Sequence, residues 1–174
     1  MKHILVTALI VLATPAAAEV VSANANGFEV RETVALVVPP EVAFGSFGDI
    51  AAWWDPQHTY SGDSANLSLA LVPGGCFCER IPESGGIEHL RVAFVDPGKR
   101  LVLTGALGPL LYEATTGVMD VQVKTVAGGS QLVLDYKVAG FANGGAAKLA
   151  AAVDSVLAEQ TKRLRVYATS RPKT

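Results

Sequence analysis

The chain has 174 residues, with 14 lysines and arginines against 16 acidic residues and a net charge of −2. A weakly acidic chain with no basic run has no electrostatic footprint for nucleic acid or an anionic membrane. The length suits one domain with one core.

Residues 1–18 read apart from the rest. Lys2 and His3 give a short basic start, residues 4–13 form an apolar run too short for a membrane span, and Pro15 breaks it. Ala16, Ala17 and Ala18 supply a small-x-small cleavage site. The order predicts an export signal over 1–18, a cut after Ala18, and a periplasmic or secreted domain over 19–174. A buried N-terminal strand or helix is the other reading. No cysteine follows the cut, so no lipid anchor is expected, and no stable membrane anchor of another kind is visible.

Residues 20–26 read as a polar lead-in. Phe28, Val30, Val34, Leu36 and Val38 share one phase of a half-buried strand, which Glu32 interrupts. Pro39-Pro40 stops that strand, and Pro40 can open a helix over about 41–50, weakened by Gly45 and Gly48. The segment WWDPQHTYSG, residues 53–62, is a loop with turns at Asp55-Pro56 and Ser61-Gly62.

Short strands and turns then alternate. Leu67, Leu69 and Leu71 share a phase before the turn at 73–75, and a strand over 76–81 ends at 82–86. Glu88, Leu90, Val92 and Phe94 mark the next strand, ended by Asp96-Pro97-Gly98, and Leu101 and Leu103 the one after. Residues 114–126 alternate, Gly128-Gly129 makes a hairpin turn, and Leu132, Leu134, Tyr136 and Val138 share the last strand phase. Connections this short make neighbouring strands antiparallel. From about 146 to 169, Leu149, Val153, Val156, Leu157, Leu164 and Tyr167 fall at helical spacing. The result is an α+β chain: strand, short helices, about six strands, one long helix.

That order resembles the START-like, or Bet v 1-like (SRPBCC), helix-grip fold. In detail it resembles the bacterial branch related to the activator of Hsp90 ATPase and grouped with polyketide cyclases. The residues that carry the resemblance are PPEVAF at 39–44, Trp53-Trp54, LVPGGCF at 71–77 and DPGKRLV at 96–102. The resemblance implies a curved antiparallel sheet of about six to seven strands around the long C-terminal helix. It also implies two short helices after the first strand and a cavity between sheet and helix. Members bind lipids, polyketides, hormones or other apolar molecules, and some are enzymes. They share no single catalytic motif, so no catalytic residue carries over, and no cofactor is implied. Hsp90 is cytosolic, so an exported chain is not expected to partner it.

Within that frame, Trp53 and Trp54 are adjacent and cannot easily face the same way. One is expected in the core and the other at the cavity mouth, unless both serve packing alone. His58 and Tyr60 could share a face and orient a ligand. Tyr136 and Gln160 are polar groups in inward phases, as is Glu32, and each needs a partner or a phase slip. The expected cavity walls are Trp53, Trp54, Phe77, Met119, Tyr136 and Val156, with His58, Tyr60 and Gln160 as polar contacts. Read as an enzyme of the cyclase or hydratase kind, the acid or base would be His58, Glu32 or Tyr136. A third possibility is a structural or interaction domain whose core its own side chains fill. Cys76 and Cys78 point to one face of a strand, too far apart for a disulfide unless a bulge intervenes. They are buried thiols, a local disulfide, or metal ligands with His58 or His89. His89 and Arg91 read as solvated, opposite in phase to Leu90 and Val92.

Overall fold

A computed structural model describes residues 17–83 and 85–171. Two strands open it, β1 (Ala17–Asn24) and β2 (Gly27–Leu36), followed by two short helices, α1 (Pro40–Gly48) and α2 (Ile50–Trp53). Single 3-10 turns at Pro56–His58 and Ser64–Asn66 lead to β3 (Leu67–Leu69). The chain continues through β4 (Cys76–Ile81), β5 (Gly85–Asp96) and β6 (Arg100–Gly105). A 3-10 stretch at Gly108–Glu113 precedes β7 (Thr115–Val126) and β8 (Gly129–Gly140), and α3 (Ala147–Ser170) closes the fold.

All eight strands form one antiparallel sheet in the order β1-β2-β8-β7-β6-β5-β4-β3. β8 returns to β2 with Val30 opposite Tyr136. This register puts Phe28, Val30, Val34 and Leu36 on the same face as Leu132, Leu134, Tyr136 and Val138, all buried. The long helix α3 lies against β1 and β2, and α1 and α2 pack beside it. This is the expected helix-grip architecture. No described helix is long and apolar enough to cross a membrane.

Three local features differ from the sequence expectations. The sheet gains an eighth strand because residues 19–24, of which 20–24 belong to the lead-in expected over 20–26, pair with β2 through a hairpin at Ala25-Asn26. Those six residues are exposed, so no buried phase marks them as a strand. The expected export signal lies outside the described residues except for Ala17 and Ala18, which pair with Thr33 and Glu32.

The other two differences are bulges in β5. Phe77 pairs with Leu90 and Cys78 with Glu88, which leaves His89 as an extra residue. Val92 pairs with Leu103 and Phe94 with Val102, which leaves Ala93 extra. An extra residue reverses the alternation beyond it. The first bulge therefore turns His89 inward, where it is 4% exposed rather than solvated, and the second turns Phe94 out to 48% exposure.

Candidate functional site

A cavity of about 380 Å³ opens between one end of the sheet and α3. Trp54 and Phe77 supply its aromatic wall, their rings 5.4 Å apart edge to face. Leu107 and Leu110, from the segment between β6 and β7, close a second side. On α3 the wall is Leu149, Val153, Val156 and Leu157. Leu149, Val153 and Val156 are only half-buried, whereas Leu157 and Leu164 further along the helix are fully buried. The helical stripe read from the sequence thus serves two purposes: its first turns face the cavity and the rest packs in the core.

Both tryptophans are buried, in different surroundings. Trp53 is in the core, with its indole N–H donating to the Ser46 carbonyl at 2.8 Å. Trp54 lines the cavity, and its N–H donates to the His58 carbonyl at 3.0 Å, which folds the 54–58 loop over the ring. His58 and Tyr60 both line the cavity, and Tyr60 is 39% exposed beside the outer ring of Tyr112, 6.4 Å away.

Gln160 holds this loop rather than facing the cavity. Its carbonyl oxygen accepts the Asp55 backbone N–H at 2.8 Å, and its amide nitrogen lies 3.0 Å from His58 Nδ1. Amide N–H donation makes Nδ1 the acceptor of the imidazole. The buried glutamine satisfies its own polar atoms and fixes the orientation of His58 together.

Met119 and Tyr136 lie elsewhere. Met119 sits with Trp53 and Gln160 around a void of about 10 Å³, too small for any ligand. Tyr136 is wholly buried; its hydroxyl accepts from the Leu107 N–H at 3.0 Å and donates to the Gly105 carbonyl at 3.2 Å. Burial pushes its pKa up to about 12. A Cβ on Gly117 would lie 2.7 Å from the Tyr136 ring, so a glycine is needed on the facing strand. Tyr136 therefore anchors the segment that carries Leu107 and supports the cavity from behind.

Glu32 keeps its inward phase and is 1% exposed, with Oε1 unpartnered among the described residues. Burial first, then the charge of Asp154, raises its pKa to about 8 against a weaker opposing bond from Thr161. It does not line the apolar cavity but borders a second cleft, with Ser155, Glu159 and Lys162 on α3, that shares His58 and Val156 with that cavity.

Cys76 and Cys78 are joined in a disulfide, with Cα atoms 5.3 Å apart. The bulge opposite Phe77 and Cys78 supplies the distortion that a flat strand lacks. Glu88 is the side chain grouped with the two sulfurs; His58 and His89 are not. Both cysteines are on the outer face of β4, away from the cavity, while Phe77 and Glu79 point inward.

Sequence reasoning missed Glu79 and His89. Glu79 is 1% exposed, and its Oε2 lies 3.1 Å from His89 Nε2. Its other oxygen accepts the Ser61 N–H. Burial pushes the Glu79 carboxyl up, but bonds from the Ser61 and Tyr60 backbone and from His89 together bring it below its ordinary value. Burial lowers the His89 pKa, against the raising effect of Glu79. The His89 ring lines the cavity between Tyr60, stacked at 6.0 Å, and Phe77 at 5.0 Å. Glu79 was detectable as an acid in the phase of Phe77. His89 was not, because the bulge hides its orientation.

No family model matches the chain, and no curated protein matches it in sequence. Solved structures do match in fold. A protein of Rhizobium leguminosarum aligns over 91% of this chain and 100% of its own, with 17% identity and a TM-score of 0.60. CalU16 from Micromonospora echinospora aligns over 91% of this chain and 88% of its own, with 11% identity and a TM-score of 0.58. DynU16, a protein of the dynemicin biosynthetic locus, aligns over 82% of this chain and 47% of its own, with 16% identity and a TM-score of 0.57. At these identities the likeness is one of fold, and the fold is Bet v 1-like.

Proposed function

We propose that this protein binds a small, largely apolar molecule in the cavity between the sheet and α3. The observation that carries this is the cavity itself: about 380 Å³, walled mainly by the apolar side chains of Trp54, Phe77, Leu107, Leu110, Val153 and Val156. That volume is within the range of small-ligand sites. Apolar burial would supply affinity at about 25 cal/mol per Å², before the costs of association. The unfilled cavity argues against a domain whose own side chains complete its core.

Within the fold, the motifs at 39–44, 53–54, 71–77 and 96–102 support the bacterial branch related to the Hsp90 ATPase activator and polyketide cyclases. Export belongs to the same proposal, because residues 1–18 carry a signal's basic start, apolar run and small-x-small site in order. An exported chain would not meet Hsp90. DynU16 comes from a biosynthetic locus, which fits handling of a small molecule.

A second reading, an enzyme of the cyclase or hydratase kind, is favoured by one observation: the buried Glu79–His89 pair beside the cavity. Fluorescence titration with N-phenyl-1-naphthylamine tests the common ground of both. Saturable binding that a Val153→Trp substitution removes supports use of the cavity. Binding unaffected by that substitution places the probe elsewhere and refutes it.

A further inference from the structure

We propose that His89 Nδ1 is a built hydrogen-bond acceptor in the cavity wall, selecting an apolar ligand that carries a hydroxyl or N–H donor. The proposal deepens the binding function above and rests on it.

Three observations lead there. First, His89 is the extra residue of a bulge, so its ring leaves the strand's alternation and joins the cavity wall. Second, the ring is held on three sides: Tyr60 stacks on it with planes 27° apart, Phe77 packs at 5.0 Å, and Nε2 lies 3.1 Å from Glu79 Oε2. Third, Nδ1 is buried with no hydrogen-bond partner among the described residues, and the side chain is only 4% exposed.

The protonation pattern follows from Glu79. Its carboxyl accepts the Ser61 backbone N–H through one oxygen and faces His89 with the other. An ionised carboxylate can only accept, so the proton between the pair is on Nε2. Burial keeps the imidazole neutral by lowering its pKa. A neutral ring protonated at Nε2 leaves a lone pair on Nδ1. Most buried side-chain acceptors are paired in folded proteins, so an unpaired one on a ring that lines the cavity marks a place for a ligand's donor. A hydroxyl on an aromatic or alicyclic body supplies one. A ligand carboxylate would set acceptor against acceptor, with the Glu79 charge behind the ring.

Glu79 is a positioning residue in this scheme. Glu79→Gln keeps the shape and can keep the Ser61 contact, but its amide N–H donates to Nε2. The imidazole proton then moves to Nδ1 and the acceptor is lost.

Two matched probes test the proposal in the full-length protein: 1-naphthol, and 1-methylnaphthalene, which has nearly the same shape and no donor. The readout is the ratio of their affinities in the unaltered protein, Glu79→Gln and His89→Phe. One neutral hydrogen bond predicts that the ratio of 1-naphthol to 1-methylnaphthalene affinity falls roughly three- to tenfold in both variants. A ratio unchanged by both substitutions overturns the anchor and leaves the binding function standing. Failure of both probes to bind the unaltered protein overturns the binding function and the anchor with it.

Should the variants not fold, nitrogen-15 resonances of the unaltered protein decide, since only His3 and His58 accompany His89 in the chain. The expected result is a proton on Nε2 and an Nδ1 resonance that 1-naphthol shifts and 1-methylnaphthalene does not. A proton on Nδ1 in the free protein overturns the proposal.

Discussion

Replacing Glu32 with glutamine should stabilise the protein near neutral pH, and the gain should vanish in acid. Glu32 is 1% exposed, has an unpartnered Oε1, and faces Asp154 on α3. Lys162, Glu159 and His58 border the same cleft, but none of them forms an ion pair with it among the described residues. Its pKa is about 8 in the folded chain against an ordinary 4.5. The folded state therefore holds a proton that the unfolded state releases between those values. A raised carboxyl pKa makes stability fall as pH rises from 4.5 to 8, with no penalty below the window and the full penalty above it. At pH 7 the unfolded carboxylate is almost fully ionised and the folded one almost fully protonated. At 1.36 kcal/mol per pKa unit, the linkage then costs about 3 kcal/mol. Glutamine resembles the protonated acid in shape and has no such linkage. Urea unfolding followed by tryptophan fluorescence at pH 4, 5.5, 7 and 8 measures the difference. The expected result is near-equality at pH 4 and a Glu32→Gln advantage that widens to roughly 3 kcal/mol at neutrality. A gap that does not change with pH, or a variant less stable at pH 7, would refute the reasoning.

Tyr136→Phe leaves the buried Leu107 N–H without its acceptor and should cost about 1–3 kcal/mol in urea unfolding. Loss of probe binding without loss of stability would instead place Tyr136 at the ligand. Gln160→Leu removes the tie between α3 and the loop at Asp55 and His58. Amide exchange over residues 55–60 should quicken in that variant while exchange in β7 and β8 is unaltered; unchanged loop exchange contradicts the tie. Reducing the Cys76–Cys78 disulfide opens a very short loop, so chain entropy predicts a loss of only about 1–2 kcal/mol and unchanged probe affinity. A large drop in affinity on reduction would mean that the outer face of β4 controls the cavity.

Much of the fold was visible in the sequence because periodicity survives wherever one face is buried. The phases of β2 and β8 hold along their buried faces, and the helical spacing of Leu157 and Leu164 holds in α3. β1 was invisible for the same physical reason reversed: with residues 19–24 exposed, nothing in their order distinguishes strand from coil. The site was legible in part. Trp54, His58, Tyr60, Phe77 and Val156 do meet at the cavity, as aromatic and polar residues near a pocket mouth suggest. Trp53, Met119 and Gln160 share the buried layer behind it, and Tyr136 braces Leu107. Inward phase alone cannot separate cavity wall from core. His89 escaped because a one-residue bulge inverts its side, and pairing register sets that bulge rather than local composition. The same bulge decides the cysteines, for which the sequence left three readings open.

The central claim is that the cavity between the sheet and α3 holds a small apolar molecule. Native mass spectrometry of the protein purified from the cells that make it, followed by a denatured spectrum, tests this most directly. The account predicts an added mass of a small organic molecule that disappears on denaturation and is absent from the Val153→Trp variant. A native mass equal to that of the bare chain, together with no uptake of N-phenyl-1-naphthylamine, would contradict it.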